Sequence, residues 1–182
     1  PIMINVLYID DEEHNLTSFR AAFRRDFKVF VTTEPSEAVR ILVENPIEVV
    51  ISDQKMPTLS GVEFFELIMP DHPNPVRMLL TGHADIDAVI DAINKGQIYK
   101  YISKPWNEAE LKRLVEEASN LYQFRTAQDM QASDYSKRLY SAQDKLESLI
   151  IEIKSSNDLT DDKKDSYIET INGAISLLQV PT

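Results

Sequence analysis

Apolar residues in the first hundred positions of this chain fall into two alternating kinds of run. The short continuous runs are Val6-Leu7-Tyr8-Ile9, Phe27 to Thr32, Val49-Val50-Ile51-Ser52, Val76-Arg77-Met78-Leu79-Leu80 and Ile98 to Ser103. Their length and their β-branched and aromatic content suit buried strands. Between them, apolar residues recur at helical spacing. Leu16, Phe19, Ala22 and Phe23 mark a first helix, and Pro35 opens a second at a position where its missing N–H costs nothing. A third helix is predicted at about 62–69 and a fourth at about 85–95, ended by Gly96; the Pro-dense loop Pro70-Asp71-His72-Pro73-Asn74-Pro75 lies between them. Strands alternating with helices predict a parallel sheet covered by helices on both faces.

From Asn107 the pattern changes, because no Gly or Pro occurs between Pro105 and Gly173. Stepping by sevens gives Leu114, Leu121, Gln128, Tyr135, Ala142 and Leu149, and beside them Ala118, Arg125, Ala132, Leu139, Leu146 and Ile153. Ten of these twelve are apolar, which predicts one long amphipathic helix to about Ser155, on the order of 70 Å at about 1.5 Å per residue. Arg125 and Gln128 interrupt the stripe together and predict a kink, a hinge or a change of packing partner. Ser155-Ser156-Asn157-Asp158 breaks the helix. A second helix follows, with Thr160 as N-cap, Asp161 and Asp162 favourable in its first turn, and its own stripe at Ile168, Ile171, Ile175 and Leu178.

The candidate chemistry sits at the strand ends. Asp10, Asp11, Asp53, Thr81 and Lys104 each fall at or just past the end of a strand-like run. All parallel strands of an open α/β sheet end on one edge, and ligands bind in the crevice outside it, so these residues are expected to converge. Three carboxylates in one pocket call for a cation, and Mg²⁺ suits them because it takes oxygen ligands from one or two carboxylates, phosphate and water. Taken singly, Asp10 and Asp11 read as helix N-terminal acids, Asp53 as a turn residue and Lys104 as a solvated loop lysine. That bland reading needs separate coincidences at four strand ends.

The stretches Ile9-Asp10-Asp11-Glu12, Ser52-Asp53-Gln54-Lys55-Met56-Pro57 with Gly61, Leu80-Thr81-Gly82 and Tyr101-Ile102-Ser103-Lys104-Pro105 together resemble the receiver domains of two-component response regulators. The resemblance covers roughly residues 1–120. It implies a flavodoxin-like α/β fold, a doubly wound five-stranded parallel sheet in the order 2-1-3-4-5. It also implies that Asp53 accepts a phosphoryl group from a sensor histidine kinase or phosphotransfer protein. In that scheme Asp11 ligates Mg²⁺ directly, Asp10 acts mainly through water, and Asp53 and the backbone carbonyl of Lys55 complete the set. Lys104 and Thr81 contact the phosphoryl oxygens, Tyr101 is the switch aromatic, and Lys55 and His83 occupy the positions that tune phosphate lifetime. The chain then divides into a receiver at 1–120 and a helical extension at 121–182, which forms a helical hairpin or coiled coil and is expected to make a homodimer. The competing expectation is a larger regulator whose enzymatic output, a cyclase, phosphodiesterase or phosphatase, lies beyond residue 182. A haloacid-dehalogenase-type phosphatase is disfavoured, because that family wants an acid where Lys55 stands. A phosphotransfer role for the tail is disfavoured because residues 121–182 hold no His.

Composition narrows the classes further. The formal net charge of −11 divides as −8 over residues 1–120 and −3 over the rest, so neither part has the basic surface expected for direct nucleic-acid binding. There is no Cys and the three His are widely separated, which argues against a transition-metal site. No apolar run approaches the ~18 residues of a membrane span, and Pro1-Ile2-Met3-Ile4 lacks a basic leader region. A cytoplasmic protein is the resulting expectation.

Overall fold

The computed structural model of the protein describes residues 3–82, 86–95 and 97–178. The elements follow in the order β1 (Ile4–Ile9), α1 (Glu13–Phe23), β2 (Phe27–Thr32), α2 (Pro35–Glu44), β3 (Val49–Asp53), α3 (Gly61–Ile68), β4 (Val76–Thr81), α4 (Ile86–Asn94), β5 (Lys100–Ser103), α5 (Glu108–Ser155) and α6 (Asp161–Leu178). The five strands form one parallel sheet in the order β2-β1-β3-β4-β5. That is the order implied by the resemblance to receiver domains.

Strand periodicity sorts the core into two layers. Val6, Tyr8, Val49, Ile51, Met78 and Leu80 face α1 and the first turns of α5, meeting Leu16, Phe19, Leu111, Leu114 and Val115. Their neighbours Leu7, Ile9, Val50 and Leu79 face the other way, toward Ala38 and Leu42 of α2, Phe64 and Phe65 of α3, and Val89 and Ala92 of α4. The ladder places Ile9 beside Ser52, Asp53 beside Leu80 and Thr81 beside Ser103. The C-terminal ends of β1, β3, β4 and β5 therefore line up along one edge.

The last strand is shorter than the apolar pattern suggests. Ile98 is buried but stands outside β5, and the segment before the strand is pinned by other bonds. Arg77, buried on β4, donates through Nε to the Gln97 carbonyl, and the Tyr99 N–H donates to the Arg77 carbonyl. The expected helix start at Asp85, its terminator Gly96, and His83 lie outside the described residues.

The chain separates into two compact units, residues 1–126 and 127–182. α5 runs without interruption through Arg125 and Gln128, and the boundary falls between them. Within the second unit the partly buried apolar residues of the helices are Leu139, Ala142, Leu146, Ile150 and Ile153 on α5 and Ile168, Ile171, Ala174, Ile175 and Leu178 on α6. Each set is one helical face, as in a hairpin closed by the five residues 156–160. No described residue of α6, and none of α5 after Ser119, is fully buried.

Candidate functional site

β1 delivers Asp10 to the sheet edge, where it is almost wholly enclosed at 1% exposure. Four groups donate to its carboxylate: the Tyr8 hydroxyl to Oδ2, Lys104 Nζ to Oδ2 at 2.8 Å, Asn15 Nδ2 to both oxygens at 3.0 and 3.1 Å, and the Glu12 N–H to Oδ1 at 3.0 Å. β3 delivers Asp53, also buried. Its Oδ1 lies 2.6 Å from Lys104 Nζ and its Oδ2 accepts the Lys55 N–H at 2.9 Å. The ammonium of Lys104 thus bridges two carboxylates that would otherwise repel one another.

Local sequence explains why these groups hold their places. The Lys104 N–H donates to the Thr81 carbonyl at 2.9 Å, which ties the loop after β5 to the end of β4; the Lys104–Pro105 peptide is cis. Below Asp53, Gln54 closes the following loop onto α3, its backbone and side-chain carbonyls accepting the N–H groups of Gly61 and Val62. A capping box starts that helix. Ser60 Oγ accepts from Glu63 N–H, and Glu63 Oε2 accepts from Ser60 N–H. Gly61 is required by space: a Cβ there would stand 2.5 Å from the Asp53 carbonyl oxygen and 2.5 Å from Leu79 Cδ2.

The electrostatics separate the two buried acids. Burial pushes the Asp10 carboxyl up, but the bonds from Lys104, Tyr8, Asn15 and the Glu12 N–H outweigh it and hold Asp10 below the ordinary carboxylate range. Asp53 goes the other way. Burial raises it, the bond and charge of Lys104 only partly offset that, and the charge of Asp10 pushes it further up. Lys104 is itself pushed down by burial and, more strongly, up by its two carboxylate partners, so it stays ammonium.

Asp11 is exposed, and among the described residues no hydrogen bond or ion pair is recorded to it. Carboxylate oxygens of Asp10, Asp11 and Asp53 nevertheless lie within 4.8 Å of one another. Three hard oxygen donors at that spacing fit a divalent cation such as Mg²⁺. An open groove beside the cluster is lined by Asp11, Gln54, Lys55, Met56, Pro57 and Thr58.

The structure brings Asp10, Asp11, Asp53 and Lys104 together and puts the Lys55 backbone against Asp53. Thr81 is buried at the end of the neighbouring strand, its hydroxyl donating to the Gly82 carbonyl at 2.9 Å. Tyr101 is not in the cluster. It lies exposed on β5, lining a separate groove with Lys100, Pro105 and Trp106. His83 is outside the described residues. Sequence reasoning missed Tyr8 and Asn15. Tyr8 reads as a strand apolar, and only its spacing of two from Asp10 signals that both share a face; Asn15 reads as a surface residue of α1.

Comparisons with known proteins bear on the family and the fold. The sequence model of the family described as the response regulator receiver domain matches residues 6–116. The hydrogenase transcriptional regulatory protein HoxA of Bradyrhizobium diazoefficiens is 34% identical over 117 residues, which is 64% of this chain and 24% of HoxA. The chain thus spans about a quarter of the length of that relative. Among solved structures, a response regulator receiver domain protein from Clostridium thermocellum superposes with a TM-score of 0.63 at 33% identity, covering 67% of this chain and 98% of that one. A crystal structure of adenylate cyclase from Rhodopirellula baltica gives a TM-score of 0.69 at 25% identity, covering 72% of this chain and 98% of that one. No helix among the described residues is long and apolar enough to cross a membrane.

Proposed function

This chain belongs to the response regulator receiver domain family of two-component signalling, and from that premise we propose that Asp53 is its phosphoryl acceptor. Receiver domains work with histidine kinases or phosphotransfer proteins, so the donor is a phosphohistidine. A carboxylate oxygen of Asp53 attacks phosphorus, the phosphorus–nitrogen bond breaks, its electron pair leaves with the imidazole, and an acyl phosphate remains. Asp53 requires no proton transfer, because it attacks as a carboxylate. The observation that carries the reading is the Asp53 carboxylate at the end of β3, 2.6 Å from Lys104 Nζ and within the three-acid cluster.

Receiver domains generally bind Mg²⁺ at such a cluster, and here Asp10, Asp11, Asp53 and the Lys55 backbone carbonyl would hold it. When bound, it supplies charge neutralisation for the acids and the phosphoryl oxygens. Asp11, with no recorded partner, is the carboxylate available as a direct ligand, whereas Asp10 already accepts four donors and acts mainly through water. Lys104 turns from Asp10 and Asp53 to a phosphoryl oxygen, and the Thr81 hydroxyl turns from the Gly82 carbonyl to another. Tyr101 then rearranges on the β5 surface, and Lys55 and His83 tune the lifetime of the acyl phosphate. Incubation with a small phosphodonor and Mg²⁺ is expected to add one phosphate, lost in Asp53→Asn; undiminished labelling of that variant would refute the assignment.

The helical extension is read as a dimerising and transmitting element. The second unit holds no fully buried side chain among its described residues, and a helical pair without a core is marginal in water. A second reading places an enzymatic output beyond Thr182. The Rhodopirellula baltica structure favours it, since a chain named as an adenylate cyclase is covered over 98% of its length by this fold. Reading the gene downstream of Thr182 discriminates the two.

A further inference from the structure

Tyr8 touches the carboxylate cluster and takes no part in the chemistry above. It is fully buried, and because residues two apart on a strand share a face, it stands directly behind Asp10. A buried phenol O–H is costly without an acceptor, whereas Phe would fill the same space with no such demand. The ring is fixed by packing: its centroid lies 4.6 Å from that of Phe19, which is in turn 4.8 Å from Phe23 and 6.1 Å from Trp106. A ring so held aims its hydroxyl in one direction, and Asp10 Oδ2 is what it meets.

The other side-chain donors to Asp10 are divided between partners. Lys104 Nζ is shared with Asp53 at 2.6 Å, and Asn15 Nδ2 is shared with Glu12 Oε2 at 3.0 Å. Tyr8 serves Asp10 alone, from inside the core. We propose that Tyr8 is a positioning residue for the divalent cation: it fixes the orientation of the Asp10 carboxylate from behind, so that Asp10 stays in place when Lys104 leaves it for the phosphoryl group. This rests on the reading that the Asp10, Asp11 and Asp53 cluster holds Mg²⁺.

The test is Tyr8→Phe in the full chain, titrated with Mg²⁺ alone by calorimetry and by Trp106 emission. Losing a partner that orients a metal ligand typically weakens metal by about 10- to 100-fold, and Asp10, which meets the cation mainly through water, belongs at the lower end of that range. Tyr8 is one of four donors, so the lower end, about tenfold in Kd, is expected. Phe64→Leu, in the core layer on the opposite face of the sheet, controls for loss of stability and should leave Kd unchanged. Should Tyr8→Phe be marginally folded, all three proteins are compared in sucrose, which strengthens burial equally for each. A Tyr8→Phe Kd within twofold of wild type, or an equal loss in Phe64→Leu, would overturn the proposal. A wild type indifferent to Mg²⁺ would instead remove the metal site itself, and the positioning role with it.

Discussion

At the scale of single residues, the two buried acids of the site are opposites, and their difference is measurable without metal. Asp53 is held above the ordinary carboxylate value, mainly by burial. Such a group costs stability once the pH exceeds that ordinary value, because the unfolded chain ionises first. Asp53→Asn removes the buried charge and is expected to raise the unfolding free energy in EDTA at pH 7. Asp10 is held below the ordinary value despite its burial, so its contribution is present above the ordinary carboxylate pKa and is lost as pH falls through the folded one. Asp10→Asn replaces an acceptor oxygen by an NH₂ that faces donors, and is expected to cost about 1–3 kcal/mol. Urea titrations of the two variants check this, and a loss of stability in both would contradict the opposed directions. The acids themselves were legible in the sequence because each follows a strand-like run. Their inequality was not, since it arises from which donors the fold brings to each: Lys104 from 94 positions away, Tyr8 from the next residue on the same strand face.

At the scale of elements, period and punctuation in the sequence located most boundaries. Pro35 opens α2, β2 spans Phe27–Thr32, and α6 begins one residue after Thr160, whose carbonyl accepts the N–H groups of Lys163 and Lys164. The start of β5 was misplaced because Ile98 is buried by tertiary packing while the bonds around it go to Arg77 and its carbonyl rather than to a ladder. The fit of α3 against β3 was likewise invisible, although Gly61 itself stood out in the motif. That junction gives a prediction. A Cβ at Gly61 meets the Asp53 carbonyl, which is backbone and cannot rotate away, so Gly61→Ala must displace α3 from the end of β3. Overpacking of this kind costs about 1–3 kcal/mol. The variant is expected to lose that much in urea unfolding and to accept phosphate from a small donor more slowly, because the moved carbonyl belongs to Asp53. Wild-type stability would show that the helix end yields without strain.

At the scale of the whole molecule, the twelve-position stripe foresaw both the length of α5 and the place where its surroundings change. It could not say how much of the stripe a single chain covers. The first unit retains Leu121 and Tyr122 packed against its core. Beyond it, Met130 and Tyr135 on α5 are 74% and 63% exposed, and Leu149, Ile151 and Leu177 are exposed as well. α6, at 18 residues, spans roughly 27 Å, enough to shelter α5 from about Ile153 back to Leu139 and no further. Residues 127–138 are exposed on every side, and burying apolar surface is worth about 25 cal/mol per Å². Two such hairpins packed as a four-helix bundle, or two long helices as a coiled coil, would cover the remaining stripe. The protein is therefore expected to sediment as a dimer and a truncation after Thr126 as a monomer. Met130→Glu with Tyr135→Glu should weaken the dimer while the receiver still takes up phosphate. A monomeric 1–182 chain, or a truncation that associates as tightly without phosphorylation, would show that the extension does not drive assembly.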